Sequence, residues 1–263
     1  MSVSGKFFIR ADRAANFSSC VRVLSTIARA CSFVRNKIRA RVKDPVVAEK
    51  LVPKDHPFGS KRIPLETEYY EAYNRDNVLL VDVRETPIER ITPKGIKTSN
   101  KEYEFDVIIY ATGFDAVTGA LTRIDIRGEG GQTFKDKWAN GPRTYLGLQT
   151  AGFPNFFIAI NSAFCNYTVC AESVVDWIAE CIRYVREKNF TRIAPTPEAE
   201  EAWVEHVNEL GTYTLLSDAN SWFMGSNIPG KKRAILLYAN TAPAYRQKCA
   251  EVAANGYEGF TLQ

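Results

Sequence analysis

Two cations stand side by side at Lys61 and Arg62, inside the stretch Pro57-Phe58-Gly59-Ser60-Lys61-Arg62-Ile63-Pro64. Held between a glycine turn and a proline, they cannot splay freely. A guanidinium offers an anion a planar fork of donors, and the neighbouring ammonium acts on phosphate as a point charge. An exposed basic pair on a loop is the plainer reading of the same residues. A second group, Ser221-Trp222-Phe223-Met224-Gly225-Ser226-Asn227-Ile228-Pro229-Gly230-Lys231, combines a flat aromatic, an amide, two glycines and a lysine. Such a loop can stack on a ring and donate hydrogen bonds to a cofactor. A tryptophan anchoring the loop to the core is the duller alternative. Six cysteines without a CxxC pair, and only two histidines, argue against a zinc site. Their spread points to a reducing compartment, with Cys165 and Cys170 as packing residues because a shared helix would not give them disulfide geometry.

The elements that must position these groups are partly legible. Val107 to Tyr110, four apolar residues in a row, suit a strand buried on both faces of a parallel sheet. Ala111-Thr112-Gly113 ends that run with small residues, at the strand end where open α/β sheets place ligands. Leu79 to Val83 reads as another strand, and Ile88 to Thr92 with Ile96 to Ser99 flank a Pro93-Lys94-Gly95 hairpin turn. Val34, Ile38 and Val42 form a helical row that Asp44-Pro45 stops. A long helix is predicted over residues 166–188, its core stripe formed by Val174, Trp177, Ile178, Cys181 and Val185. Thr196-Pro197 opens the next helix, with Trp203, Val207 and Leu210 inward, Gly211 as its stop, and His206 a partly buried structural histidine. A short strand at Ala234 to Tyr238 and a helix ending near Asn255-Gly256 close the chain.

With 263 residues, 45% hydrophobic and 24% charged, one large or two modest globular domains are possible. No stretch approaches the roughly 18 apolar residues that span a bilayer. The net charge of +4 is uneven: residues 1–45 hold ten Lys/Arg against two Asp. A basic, acid-poor start can serve organelle import, an anionic membrane or nucleic acid. No nucleic-acid motif accompanies it, and a solvated helix face is the bland alternative.

Several segments together resemble the Baeyer–Villiger flavin-containing monooxygenases, closest to the cyclohexanone-monooxygenase-like group. They are Phe58 to Arg62 with Tyr69-Tyr70 and Tyr73 to Val78, Ala111-Thr112-Gly113-Phe114-Asp115, Pro142 to Gly147, Phe153-Pro154-Asn155, Ser221 to Lys231, and Tyr245 to Lys248 with Gly256 to Phe260. They fall in the family's order over about residues 33–263. The resemblance implies an α/β fold, part of a two-dinucleotide-binding-domain (FAD/NADP Rossmann-like) flavoprotein whose N-terminal half is missing. On that basis residues 1–32 are a divergent basic segment, 33–108 the tail of the NADP-binding domain and linker, and 109–263 the C-terminal part of the FAD-binding domain. The activity implied is NADPH-driven reduction of FAD, capture of O2 as a C4a-peroxide, and oxygen insertion beside the carbonyl of a ketone, or oxidation of a sulfide. Arg62 matches the family's catalytic arginine beside the flavin, holding negative charge on oxygen. Lys61 matches an NADP contact, and Trp222 a tryptophan near the nicotinamide on a loop that orders as the site closes. Asn166 and Tyr167 align with positions beside the flavin ring.

Two departures qualify what the resemblance implies. No G-x-G-x-x-G follows a strand; Gly128-Glu129-Gly130-Gly131-Gln132-Thr133 lacks the third small position. A Gly-Pro-x-x-Pro-like turn of the family is replaced by Ile160-Asn161-Ser162-Ala163-Phe164, in a shorter segment. The isolated chain is therefore expected not to turn over, with no metal, no nucleic acid and a cytoplasmic location. The alternatives are a catalytically inactive fragment and an interaction or regulatory module derived from the family.

Overall fold

The row of Val34, Ile38 and Val42 forms one face of α1 (Leu24–Arg41) and its exit, with Ile38 and Val42 buried. The computed structural model describes residues 24–159 and 167–263. Among these, residues 24–58 and 62–114 form a smaller unit; residues 59–61, 115–159 and 167–263 form a larger one.

In the smaller unit Asp44 both ends the first helix and caps α2 (Pro45–Leu51), accepting from the N–H groups of Val46 at 2.8 Å and Val47 at 3.3 Å. The basic face of α1 is matched locally by acids. Arg41 pairs with Glu66 and Glu71, the latter on α3 (Tyr69–Ala72), and Arg39 pairs with Glu49. The Arg39 guanidinium, with Lys54 second, holds the Glu49 carboxyl down at about 2. These pairs support the solvated-face reading of that stretch.

The predicted hairpin is present and extends to three antiparallel strands: β1 (Ile88–Thr92), β2 (Gly95–Thr98) and β3 (Glu102–Glu104). Gly95 is required where it stands, because a Cβ there would lie 1.9 Å from the Tyr103 carbonyl oxygen. Two other expectations are corrected. Residues 107–113 and 79–81 lie in no strand, and they neither donate nor accept a backbone–backbone hydrogen bond among the described residues. Val107, Ile109 and Tyr110 are 74%, 85% and 68% exposed, and Leu79 is 68% exposed. A strand apolar on both faces needs neighbours on each side, and both sheets formed by the described residues are small and antiparallel.

The larger unit carries α4 (Gly119–Arg123), α5 (Phe134–Lys137), α6 (Tyr167–Glu187), β4 (Ile193–Pro195), α7 (Pro197–Thr212), α8 (Ala242–Ala254) and β5 (Phe260–Leu262). The stripe on α6 is as expected, with Val174, Cys181 and Val185 buried and Trp177 donating its indole N–H to the Cys249 carbonyl at 2.9 Å. Thr196 caps α7 by accepting from Ala199 N–H at 3.1 Å. The helix runs one residue past Gly211, which is needed because Ile235 occupies the place of a side chain there. Tyr145, Leu146, Leu148, Trp203, Tyr238 and Tyr245 pack the centre, and His206 lies half-buried against Trp203 with Nε2 3.5 Å from the Tyr238 hydroxyl. Asn155, in the left-handed region at φ 58°, explains the Phe-Pro-Asn motif as a brace. Its amide nitrogen donates to Thr191 O, its amide oxygen accepts from Ile193 N, and its backbone N–H donates to Ile193 O at 2.9 Å, fixing β4 for its antiparallel pairing with β5.

Two more readings are amended. Ala234 to Tyr238 is not a strand; Ala234 and Leu236 donate backbone bonds to Met224 O and Phe223 O, in a single 3-10 turn. Cys170 packs in the core as expected and is also disulfide-bonded, while Cys165 lies outside the described residues.

Among the described residues Glu200 is the most deeply buried charge, 1% exposed in the first turn of α7. It accepts from Lys137 Nζ at 2.8 Å, Arg143 Nε at 3.3 Å and Ala151 N at 2.8 Å. Glu200→Gln leaves two cations facing a neutral amide, and we expect a loss of about 3 kcal/mol in urea unfolding. Burial also pushes the Cys181 thiol up to about 12 and the Cys249 thiol up to about 11. The unfolded chain releases these protons near pH 9.0 while the folded one keeps them, so stability full below pH 9.0 falls as pH rises toward 11 and 12. Replacing both thiols by alanine should flatten that slope, and in the native protein iodoacetamide should modify Cys31 well before either of them.

Candidate functional site

The structure joins two segments that the sequence presents far apart. Lys231 donates to the carboxylate of Asp115, 116 positions away, and to Thr118 Oγ1 at 2.6 Å. Asp115 ends the Ala-Thr-Gly-Phe-Asp segment, and Lys231 ends the tryptophan loop. Room for the carboxylate comes from Gly119, where a Cβ would lie 2.5 Å from the Asp115 side chain. Gly225 turns the loop at φ 65°, and its own missing side chain leaves space for the Lys231 stem.

The loop is also locked from within. Ser221 N–H donates to Ser226 Oγ at 3.0 Å, and Ser226 Oγ donates back to Ser221 O at 3.1 Å. Trp222 rides on this turn, half-buried, its ring 4.2 Å from that of Phe223 at 40°. The three cations that close the segment are all engaged. Lys231 holds Asp115, Lys232 donates to Asn140 at 2.9 Å, and Arg233 donates to Asn220 Oδ1 and the Ala219 carbonyl, each at 3.1 Å. The Lys231 ammonium is thus a structural tie in this chain.

The remaining predicted site residues are placed as follows. Arg62 belongs to the smaller unit, exposed and with no ion pair or hydrogen bond among the described residues. Lys61 and Tyr167 belong to the larger unit with Trp222; Lys61 is half-buried, and Tyr167 is 64% exposed at the first turn of α6. Asn166 and the Ile160 to Phe164 turn lie outside the described residues. A cavity of about 140 Å³ in the larger unit is lined by Trp138, Asn140, Arg143, Trp203, Asn208 and Leu236 among others, and by none of the predicted site residues. Among the described residues no group of His, Cys, Asp and Glu could hold a metal, and no helix is long and apolar enough to cross a membrane.

A dinucleotide needs a glycine-rich turn whose free N–H groups meet its pyrophosphate. The glycine-rich turn at 128–131 closes the Arg127–Thr133 bridge, and most of its donors are taken by backbone carbonyls. Gly128 N bonds to Gln132 O, Glu129 N to Gly152 O, Gly131 N to Gly128 O and Gln132 N to Glu129 O. A Cβ on Gly128 would meet the Gly152 oxygen at 2.2 Å, so the turn's closeness serves packing. This turn therefore does not fit a pyrophosphate. Two buried polar side chains escaped sequence reasoning altogether: the Gln149 amide and the Ser221 hydroxyl have no hydrogen-bond partner among the described residues. Nothing in residue type or spacing signals either.

No family model matches the chain. It is 53% identical over 237 residues to the 2-oxo-Δ3-4,5,5-trimethylcyclopentenylacetyl-CoA monooxygenase of Pseudomonas putida, covering 88% of this chain and 44% of that protein. It superposes on a crystal structure of OTEMO in complex with FAD and NADP with a TM-score of 0.86 and 52% identity, over 91% of this chain and 45% of that one. A closed crystal structure of cyclohexanone monooxygenase matches at a TM-score of 0.88 and 42% identity, over 93% and 46%. The chain thus spans under half the length of the relatives it matches.

Lys231→Met removes the counter-ion of Asp115, and Gly119→Ala pushes its carboxylate out of place. Each should free the loop at 221–231, raising its cleavage in limited proteolysis several-fold and shifting Trp222 emission to the red. An unchanged cleavage pattern in both would show that the loop is held by other contacts.

Proposed function

This chain belongs to the Baeyer–Villiger monooxygenases, as a C-terminal portion of their two-dinucleotide-domain α/β fold, and from that premise we propose that it supplies reaction-site charge to an FAD- and NADPH-dependent monooxygenase without performing the reaction alone. The substrate class is a ketone or sulfide, with O2 as co-substrate. Arg62 is the residue we assign to chemistry. Its guanidinium is exposed and without an ion pair among the described residues, so it is available to an anion that develops on oxygen. Lys61, Trp222, Tyr167 and Asn166 are proposed as cofactor contacts.

The observation that carries this reading is the turn at 128–131, where the N–H groups of Gly128, Glu129 and Gly131 are already bonded to backbone carbonyls. When bound, FAD and NADPH would supply the redox chemistry; this chain's own part is charge, orientation and the exclusion of water. A cytoplasmic location accords with the free thiols of Cys31, Cys181 and Cys249, while the Cys170 disulfide weighs against it.

Purified chain mixed with FAD and passed through gel filtration should emerge colourless and should not oxidise NADPH. Stoichiometric retained flavin would overturn the proposal that the portion is insufficient. Arg62 is tested separately in the Pseudomonas putida relative, by placing alanine at the matching position. Oxygenation should drop by about 100-fold while flavin reduction by NADPH continues; undiminished oxygenation would remove the assignment.

A further inference from the structure

The cavity of about 140 Å³ in the larger unit takes no part in the reaction proposed above, and every residue lining it belongs to that unit. Its wall is apolar and aromatic at Trp138, Ile158, Trp203, Val207, Leu236 and Tyr238, with Trp203 and Tyr238 stacked 5.1 Å apart. Thr144 and two exposed asparagines, Asn140 and Asn208, supply the polar part. The Thr144 hydroxyl and the Asn208 amide make no hydrogen bond among the described residues. We propose that this cavity binds a small neutral ring carrying one oxygen acceptor, and that filling it steadies the loop at 221–231.

Size, polarity and charge each narrow the ligand. An apolar cavity of about 150 Å³ in a protein core takes benzene, so a five- or six-membered ring fits here. A water needs about two to four polar partners, which a wall of tryptophan, valine and leucine does not supply. No acid lines the cavity to hold a cation, and Arg143, the cation that lines it, is already held by Glu200 and Glu201. That leaves the Thr144 hydroxyl and the Asn208 amide N–H as donors for one oxygen. The site is also built in advance. The Arg143 carbonyl accepts from the Trp138 indole at 3.0 Å and from Thr150 Oγ1 at 2.8 Å, which fixes that turn. Val117, also on the wall, has a φ of 66°, a left-handed conformation that is strained for a β-branched side chain. Its neighbours Asp115 and Thr118 are both held by Lys231, the last residue of the loop. Ala234 and Leu236, on the wall as well, donate their N–H groups to Met224 O at 3.2 Å and Phe223 O at 3.0 Å. Two parts of the wall are therefore bonded to the loop that carries Trp222, and a ligand that favours the intact wall favours the ordered loop.

Amide NMR of the whole chain is followed during titration with cyclohexanone, cyclohexanol, benzene and cyclohexanecarboxylate. The two oxygen-bearing neutral rings should give saturable shifts at residues 138–144 and 234–238, and the carboxylate should bind about tenfold more weakly or worse. Thr144→Val combined with Asn208→Ala should weaken cyclohexanone by about fivefold and leave benzene unchanged. Val207→Phe fills the cavity and should abolish binding of every ring. If that variant fails to fold, Asn208→Trp, at an exposed position, closes the mouth and should do the same. Saturating cyclohexanone should also lower cleavage of the loop at 221–231 several-fold in limited proteolysis. Absence of saturable shifts, a carboxylate bound as tightly as the ketone, or a ketone indifferent to the Thr144 and Asn208 changes would each overturn the proposal. So would binding that survives Val207→Phe or Asn208→Trp, or loop cleavage unchanged at saturation. None of these readouts needs flavin, so a failure of oxygenation at Arg62 leaves them untouched.

Discussion

A strand with apolar side chains on both faces cannot bury itself; it depends on neighbours that bond its backbone and on helices that cover it. Much of this molecule follows from where that requirement is met. The larger unit is internally complete, with Leu146, Leu148, Val174 and Trp203 at its centre and Asn155 bracing β4 for β5. The smaller unit meets the requirement only in its three-stranded meander. Its runs at 79–81 and 107–113 keep the composition of core strands without the sheet. Burying a side chain such as Val107 or Ile109 would stabilise by about 1.5–3 kcal/mol, which their exposure forgoes.

Charge is handled with the same asymmetry. Where cations are enclosed, each has a fixed acceptor. Lys137 and Arg143 converge on Glu200, and Lys231 ties Asp115. Such pairs give less net stability than their short distances suggest, because both charges have left water. What they do secure is position: Glu200 binds α7 to α5 and to the Arg143 turn, while Lys231 and Asp115 set the tryptophan loop against the segment that follows Thr112-Gly113. Arg62 contrasts with all of these, as a guanidinium left without an acceptor among the described residues.

The legible parts of the chain were those whose cause is local. A period of 3.6 residues exposed α1 and the stripe of α6; Thr196-Pro197 marked a helix start; Pro93-Lys94-Gly95 marked a hairpin. The resemblance rested on short motifs, and several proved structural: Phe153-Pro154-Asn155 is a brace, and Lys231 a tie. Illegible parts depend on distance along the chain. No periodicity links Asp115 to Lys231 across 116 positions, and Glu200 reads in sequence only as an acid placed well for a helix N-terminus. The Val107 to Tyr110 run failed differently. Its pattern suits a doubly covered parallel sheet, which the described residues do not provide. Ala234 to Tyr238 failed because extended backbone bonded to a 3-10 turn is indistinguishable, by composition, from a strand.

The proposed role of Arg62 carries a physical condition of its own. In open water a unit charge at 4 Å from an oxyanion gains about 1 kcal/mol, and at the effective dielectric of a protein surface cleft about 4 kcal/mol. Transition-state stabilisation of the size expected from an oxyanion-holding donor lies in the second range, not the first. An exposed guanidinium therefore gains its catalytic value only when low-dielectric walls close around it.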